Sequence, residues 1–430
     1  MSSQTPKSTN GVIDRQLLAD AYAYLLARKL VIRQEHNDAA EQGFSYNAIK
    51  YNPLGSANFV NPNFDVAYLE AWVAADDNAP ALLEIPNIRG RYYTAQVLDE
   101  WGEVIVNIND RTFPTKPSGR FALMRPGSNP QVPDDAARVI LHSSKAKLLA
   151  RVELKGAPAE AVALQKQFKL SSLGSPVVAP PPTVMDFDNQ SLMGVEIFDD
   201  VDATLSSALD VSPIAATLQQ KVRAVAAQVL ESPVTRALAD DQLREDIVPA
   251  FHDYALTKSA VYRNNWLGGP APGGGVPGEF GKDFRLRTMV NLMGIWANTP
   301  DEVQYFSTGV DRSGAPLDGD RNYVIHFPAD DLPDTVVNGY WSVILVSIPD
   351  YRVTPNPLNR FNLNTYSPLV KEADGSLNIA IGPRPVSGVA ESNWLPSPDG
   401  KAFSLTFRAY VPVDKVKRGE WSPPPVVRTR

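Results

Sequence analysis

The sequence predicts a mainly β protein, with an N-terminal antiparallel sandwich and a C-terminal jelly-roll sandwich separated by a helical insert. Three observations favour this fold class. Short runs of β-branched and aromatic residues, bounded by Asn, Asp, Gly and Pro, occupy both ends of the chain. The 430 residues include 37 prolines and 27 glycines, which is typical of a chain with many turns. In the middle of the chain, apolar residues recur instead at helical spacing.

These patterns divide the chain into four parts. Residues 1–45 are predicted to form a polar tail and an amphipathic helix, and residues 46–150 the first sandwich. Residues 151–300 are predicted to form a proline-rich linker and a helical region, and residues 301–430 the jelly-roll domain. The segment 146–167 has helical character, so we expect a helix directly after the first sandwich.

The charge balance argues against several classes of partner. The chain has 41 basic and 48 acidic residues, a net charge of −7, and no basic cluster. Nucleic acid and anionic membrane surfaces are therefore not expected as partners. No apolar run approaches the roughly 20 residues that a membrane span requires. The first ten residues lack the apolar segment of a signal peptide, so we expect a cytoplasmic protein.

Cysteine is absent, which excludes disulfides, thiolate metal sites and a cysteine nucleophile. The four histidines (His36, His142, His252 and His326) are scattered and do not have the spacing of a zinc site. We expect no cofactor, although a divalent metal held by carboxylates stays open. The expected partner is a small-molecule substrate, and a homodimer stays open.

The first candidate site lies in the segment Asn61-Pro-Asn-Phe-Asp-Val-Ala-Tyr. If this segment enters a strand, Asn63 and Asp65 share one face, and Tyr68 lies on the other. Asn and Asp are poor strand residues, so two of them on one face need a reason. Either they cap a turn, or they line a polar cavity.

The second candidate site is the predicted strand that begins at Arg91. Alternation places Arg91, Tyr93 and Asp99 on one face, and neither face of this strand is cleanly apolar. An Arg, a Tyr and an Asp together could bind an acidic substrate and move a proton. The alternative is a structural Arg–Asp pair beside a packed Tyr.

A third candidate is His326, in the predicted strand Tyr-Val-Ile-His-Phe. A single histidine on a strand is usually a hydrogen-bonded structural residue. It is nevertheless the histidine best placed for acid–base chemistry.

Motifs across the chain resemble a pair of protein families of unknown function. Asn63-x-Asp65-x-x-Tyr68 and Arg91-Tyr-Tyr-x-x-Gln96-x-x-Asp99 resemble the domain-of-unknown-function family 1254. Tyr340-Trp-Ser, Asn356-Pro-Leu-Asn-Arg360 and Asn393-Trp-Leu-Pro resemble family 1214. The resemblance implies an immunoglobulin-like sandwich, a helical insert and a C-terminal jelly roll. It implies little about function.

The preferred functional prediction is an enzyme that acts on a small polar or anionic molecule in a cleft between the two β domains. Asp65 or Asp99 would be the general base, Tyr93 the acid, and Arg91 with Arg360 the anion clamp. A hydrolase is favoured, and a lyase or isomerase that uses the same groups is the alternative. The competing class is a non-catalytic small-molecule or carbohydrate binding protein, with Trp341 or Trp394 as an aromatic platform. The candidate catalytic residues are Asp65, Tyr93, Asp99 and His326, and the candidate substrate-binding residues are Asn63, Tyr68, Arg91, Gln96, Trp341, Asn356, Arg360 and Trp394.

Overall fold

A computed structural model describes residues 13–55, 61–251, 261–269, 275–398 and 400–429. Its described part contains four β-sheets, which form two sandwiches, and a set of helices. The predicted fold class, an immunoglobulin-like sandwich and a jelly-roll sandwich with a helical insert, is confirmed. Within the described residues, no helix combines the length and apolar character needed to cross a membrane.

The first helix, α1 (Arg15–Ala39), lies in the interior of the protein. It begins after Asp14, whose carboxylate accepts a hydrogen bond from the Leu17 amide and so caps the first turn. Every residue from Leu18 to Ile32 except Asp20 is buried. Helices of the insert pack against the first half of α1, where residues 21–27 are all apolar, whereas its second half buries Arg28, Lys29 and Glu35.

The first sandwich packs a five-stranded sheet, in the order β1-β2-β8-β4-β5, against a four-stranded sheet, in the order β7-β6-β3-β9. Alternate residues of its strands, such as Ala95, Val97 and Leu148, fill the core between the sheets. Helix α2 (Pro158–Gln165) joins the last two strands. The strands are β1 (Lys50–Tyr51), β2 (Val66–Ala74), β3 (Ala81–Ile85), β4 (Tyr93–Leu98), β5 (Val104–Ile108), β6 (Gly119–Met124), β7 (Ala137–Ile140), β8 (Lys145–Glu153) and β9 (Lys169–Ser172).

The helix expected over residues 146–167 is wrong in its first half, where the chain forms β8. The Lys, Ala, Leu and Arg residues of this segment are good helix formers, but tertiary packing overrides that preference. Ala146 and Leu148 enter the sandwich core, while Lys147 and Arg151 lie on the opposite, also buried face. A strand with both faces buried lacks the polar–apolar alternation that marks a strand at the surface.

The helical insert follows the proline-rich segment. It comprises a 3-10 turn (Val195–Phe198), α3 (Val201–Ser206), α4 (Ala215–Val229), α5 (Pro233–Gln242), which continues as a π-helical turn (Leu243–Ile247), and α6 (Phe284–Met293). Helix α5 begins directly after Ser232. Ser232 and Thr235 form a capping box, and Pro233 occupies the first turn. Helix α4 begins at Ala215, two residues after Pro213.

The second sandwich packs a six-stranded sheet, in the order β10-β11-β12-β18-β14-β15, against a four-stranded sheet, in the order β17-β16-β13-β19. Large aromatic side chains fill its core, with the Trp341 and Phe407 rings stacked at 5.8 Å. The elements are β10 (Tyr262–Arg263), β11 (Trp266–Gly268), β12 (Val303–Thr308), β13 (Tyr323–Phe327), β14 (Trp341–Ser347), β15 (Asn362–Asn364), β16 (Leu377–Gly382), β17 (Trp394–Pro396), β18 (Phe403–Tyr410), α7 (Asp414–Lys417) and β19 (Val426–Arg428).

The two sandwiches meet through polar side chains and through an aromatic cluster in which Tyr92 packs on Tyr340 and Tyr410. On one side, Gln96 on β4 donates a hydrogen bond to the carbonyl of Ala297, just after α6. On the other, the Tyr366 hydroxyl beyond β15 donates to the Glu153 carboxylate at the end of β8. The outward face of the first sheet is therefore not a solvent face. It forms one wall of the junction between the sandwiches.

Candidate ligand-binding cavity

A cavity of about 210 Å³ lies where the two sandwiches and helix α6 come together. Its walls are the outward face of β2 and β8, the facing side of β12 and β18, and one side of α6 with the turn that follows it. Clefts between domains are common places for small-molecule sites. This junction is therefore the candidate ligand-binding site.

Each of the two sheets presents an arginine with a tyrosine directly across from it. On the first sheet Tyr68 pairs with Arg151, and on the second Tyr305 pairs with Arg408. All four residues line the cavity. The Arg151 guanidinium lies 5.4 Å from the centre of the Tyr68 ring, a cation–π distance. Two guanidinium groups thus approach one cavity from opposite sheets.

Both arginines are buried, with 5% of Arg151 and 4% of Arg408 exposed. Arg151 donates to the side-chain oxygen of Gln96 and to the carbonyl of Trp296. Arg408 donates to the carbonyls of Asn61, at 2.6 Å, and Pro62, at 3.1 Å. Across the described ranges, neither guanidinium has a carboxylate oxygen within 4 Å. Buried charges are normally paired, so the cavity wall carries positive charge that its own ion pairs do not neutralise.

The third wall is apolar. Leu286, Val290 and Met293 follow one another at helical spacing on α6, line the cavity and are each only partly buried. The opposite face of α6 buries polar groups instead. There, Thr288 and Asn291 donate hydrogen bonds to carbonyls of α1. This helix therefore turns its polar side to the protein interior and an apolar side to the cavity.

A hydrogen-bonded link leads from the cavity wall to the backbone of Asp65. Tyr410 lines the cavity, and its hydroxyl accepts a hydrogen bond from the Asn63 side-chain amide. The Asn63 side-chain oxygen in turn accepts from the backbone amide of Asp65, at 2.7 Å. The Tyr410 ring stacks on Tyr340 at 4.2 Å, which fixes its position.

Asp65 is 4% exposed, and only one of its carboxylate oxygens is hydrogen-bonded. Oδ1 accepts from the side-chain amides of Asn362 and Asn364, whereas Oδ2 has no hydrogen-bond partner. Burial raises the pKa of Asp65, although these amides and the nearby Arg408 favour the ionised form. A carboxyl group with a raised pKa and an unpartnered oxygen is able to hold a proton.

The structure brings some of the predicted site residues together at this junction. Asn63 and Tyr68 line the cavity. Gln96 lies behind Arg151 and holds it by a hydrogen bond. Asp65 lies behind Asn63 and is not part of the cavity wall.

The other three predicted catalytic residues lie elsewhere. The Tyr93 ring is in the core of the first sandwich, and its hydroxyl donates to the Pro117 carbonyl. Asp99 accepts from the amides of Trp101 and Glu103 and from the His142 ring, so it holds the turn after β4. His326 is exposed and pairs with Asn378 on the neighbouring strand.

The remaining predicted substrate-binding residues have structural contacts. Arg91 donates to the carbonyls of Glu153 and Leu154, and its predicted pairing with Asp99 does not occur. Trp341 is fully buried in the core of the second sandwich. The contacts of the others are local: Asn356 bonds Arg360, Arg360 donates to the carbonyls of Glu391 and Trp394, and the Trp394 indole donates to the Gly382 carbonyl.

Sequence reasoning missed the two arginines of the cavity, together with Tyr305 and Tyr410. A signal for Arg408 was present, because it interrupts an otherwise apolar strand between Phe407 and Ala409. Arg151 gave no such signal, because the helical character of residues 146–167 does not indicate a strand on which its position could be read. Within the described ranges, no three His, Asp or Glu side chains gather where they could hold a metal ion.

Comparison with known families agrees with this two-part architecture. Residues 45–172 match the protein family of unknown function DUF1254, and residues 302–414 match the protein family of unknown function DUF1214. The chain therefore carries a DUF1254 region followed by a DUF1214 region. The DUF1254 match spans the first sandwich with α2, and the DUF1214 match begins just before β12 and ends at the first residue of α7. The cavity therefore lies between the DUF1254 and DUF1214 domains, with α6 as its third wall.

One solved structure extends the similarity to nearly the whole chain. The crystal structure of the VPA0106 protein from Vibrio parahaemolyticus is similar over 97% of this chain and 100% of that chain, with a TM-score of 0.64 and 20% identity. An uncharacterised protein from Burkholderia cenocepacia is similar over 95% of this chain and 86% of that chain, with a TM-score of 0.47 and 13% identity. No curated protein shows a significant match. At 20% identity, the Vibrio structure supports the fold and carries no information about function.

Proposed function

We propose that this protein binds a small organic anion in the cavity between its DUF1254 and DUF1214 domains. One observation carries the proposal: Arg151 and Arg408 approach the cavity from two different sheets, and both are hydrogen-bonded only to neutral oxygens. A carboxylate bound between them would supply the negative charge that the wall lacks. Arginine suits this role because its planar group can form two parallel hydrogen bonds to one carboxylate.

Binding would be tested by isothermal titration calorimetry at low salt, with benzoate and octanoate as probes. Arg151→Gln and Arg408→Gln should each weaken binding by about 10- to 100-fold, because a hydrogen bond to a charged group contributes roughly 1.5–3 kcal/mol. Arg120→Gln is the matched control, since Arg120 on β6 is partly exposed, pairs with Asp135 and does not line the cavity. Failure of both probes to bind, or binding that neither cavity variant weakens, would contradict the proposal.

A second candidate is an enzyme that acts on the bound anion by acid–base chemistry, with hydrolysis the preferred reaction and a lyase or isomerase the alternative. The observation that favours it is the position of Tyr410 at the cavity wall, where its hydroxyl accepts a hydrogen bond from Asn63 and keeps its own proton for donation. The Asp65 carboxyl does not line the cavity, and the link through Asn63 ends at the Asp65 backbone amide, so the proton donor to the ligand would be Tyr410. Tyr410→Phe should then abolish turnover of the bound anion. Equal turnover by the wild type and this variant would contradict the enzymatic candidate alone.

A further inference from the structure

We infer, on the basis of the proposed anion binding, that the ligand is a carboxylic acid with one charged end and a hydrocarbon body. The charged end would lie between Arg151 and Arg408, and the body would lie against α6. The observation that carries this inference is the orientation of α6, which buries polar residues against α1 and directs Leu286, Val290 and Met293 to the cavity.

The apolar wall extends beyond the helix. Leu149 on β8 and Ile295, just after α6, also line the cavity, and Leu149 precedes Arg151 by two residues on the same face of its strand. The apolar and cationic parts of the wall are therefore adjacent. A ligand that contacts the guanidinium groups with one end places its other end beside these side chains.

A second charge on the ligand would not be accommodated along this wall. Leu286, Val290 and Met293 offer no side-chain hydrogen-bond donor, so a carboxylate placed against them would lose its hydration without gaining a partner. A hydrocarbon chain in the same place would remove apolar surface from water on both sides of the contact. The cavity should therefore prefer monocarboxylates to dicarboxylates of equal length.

The test is calorimetric titration with acetate, butyrate, hexanoate and octanoate, and with suberate, the eight-carbon dicarboxylate. We expect affinity to rise up to about fourfold for each methylene added, until the chain fills the cavity. Octanoate should bind at least tenfold more tightly than suberate.

A variant of the apolar wall provides the second measurement. Met293→Gln keeps the length of the side chain and adds polar atoms, so it should reduce octanoate affinity several-fold and leave acetate or butyrate affinity unchanged. Met185→Gln is the matched control, because Met185 is 48% exposed and does not line the cavity. Circular dichroism melts would show that both variants fold.

The outcomes separate this inference from the proposed function. One contrary outcome is that carboxylates bind in a way that depends on Arg151 while their affinity does not change with chain length, or while suberate binds as tightly as octanoate. Either result would overturn the inference that the ligand has a hydrocarbon body and would leave the proposed anion binding in place. Equal octanoate affinity in wild type and Met293→Gln would also overturn the hydrocarbon body. If no carboxylate binds, both are overturned.

Discussion

Strand β8 carries buried cations at both of its ends, and the two ends have different surroundings. At the first end, the Lys147 ammonium lies 2.7 Å from both the Asp38 and Glu70 carboxylates, and Lys145 lies 2.6 Å from Glu35. At the other end, Arg151 is equally buried but is hydrogen-bonded only to neutral oxygens. Burial alone thus does not mark a binding site. On β8, Arg151 is the cation that indicates a ligand, because the protein gives it no carboxylate partner.

The largest expected effect is a loss of stability when a cation is removed from the first end of β8, where Lys145 and Lys147 pair with carboxylates. Lys147→Met removes the cation between two buried carboxylates and should lower the free energy of unfolding by about 3–5 kcal/mol. Arg151→Met leaves only neutral groups without their donor, so its expected loss is smaller, about 1–3 kcal/mol. Urea unfolding of the two variants measures the difference. If Arg151→Met were the more destabilising of the two, the distinction between a structural and a ligand-binding cation would be wrong.

The second effect is the pH dependence of the paired end. Glu100 lies beside Arg28 and Lys145, yet burial raises its pKa to about 7, and one of its oxygens has no hydrogen-bond partner. Because the folded-state pKa is above the unfolded value, this group stabilises the fold fully at pH values below the unfolded pKa of about 4.3. That stabilisation, on the order of 3 kcal/mol, is lost as the pH rises through 7.

Glu100→Gln should therefore flatten the fall in unfolding free energy between pH 5 and pH 8. Urea denaturation at several pH values, for the wild type and the variant, measures the two slopes. Glu160→Gln is a control at an exposed position, where Glu160 pairs with Arg91. Identical slopes for wild type and Glu100→Gln would show that Glu100 does not carry a raised pKa.

A smaller effect is expected at Asp65, on the cavity side. Asp65→Asn keeps the oxygen that accepts from Asn362 and Asn364 and removes the carboxylate that burial disfavours. We expect the melting temperature of the variant to rise relative to that of the wild type between pH 5 and pH 8, because the buried wild-type carboxyl ionises as the pH rises. The gain should be about 1 kcal/mol, comparable to one hydrogen bond. Thermal melts at both pH values test this, and a variant that melts lower at pH 8 would show that Arg408 keeps Asp65 ionised.

The sequence predicts the two sandwiches well, because their core positions follow local alternation and turn residues. It also identifies Asn63 and Asp65, because Asn and Asp are unusual at the start of a strand. It does not predict the cavity as a whole, because Arg151 and Arg408 are 257 positions apart and meet only when the domains pack. Strand β4 shows the same limit. Its mixed pattern reflects two buried faces, with Tyr93 in the sandwich core and Gln96 at the junction.

The smallest effect is expected for Tyr93→Phe. Burial raises the pKa of Tyr93 to about 12, so its hydroxyl keeps its proton at neutral pH, and it donates that proton to the Pro117 carbonyl at 2.9 Å. Loss of this one hydrogen bond should lower the free energy of unfolding by about 1 kcal/mol. Octanoate affinity should not change, because the ring lies in the sandwich core and does not line the cavity. Tyr410→Phe is the matched comparison: the same atom is removed, but from a residue that does line the cavity. The opposite outcome would be a loss of octanoate affinity in Tyr93→Phe and none in Tyr410→Phe. That outcome would place the binding site on the face of β4 that carries Tyr93, as the sequence predicts, and not at the junction of the domains.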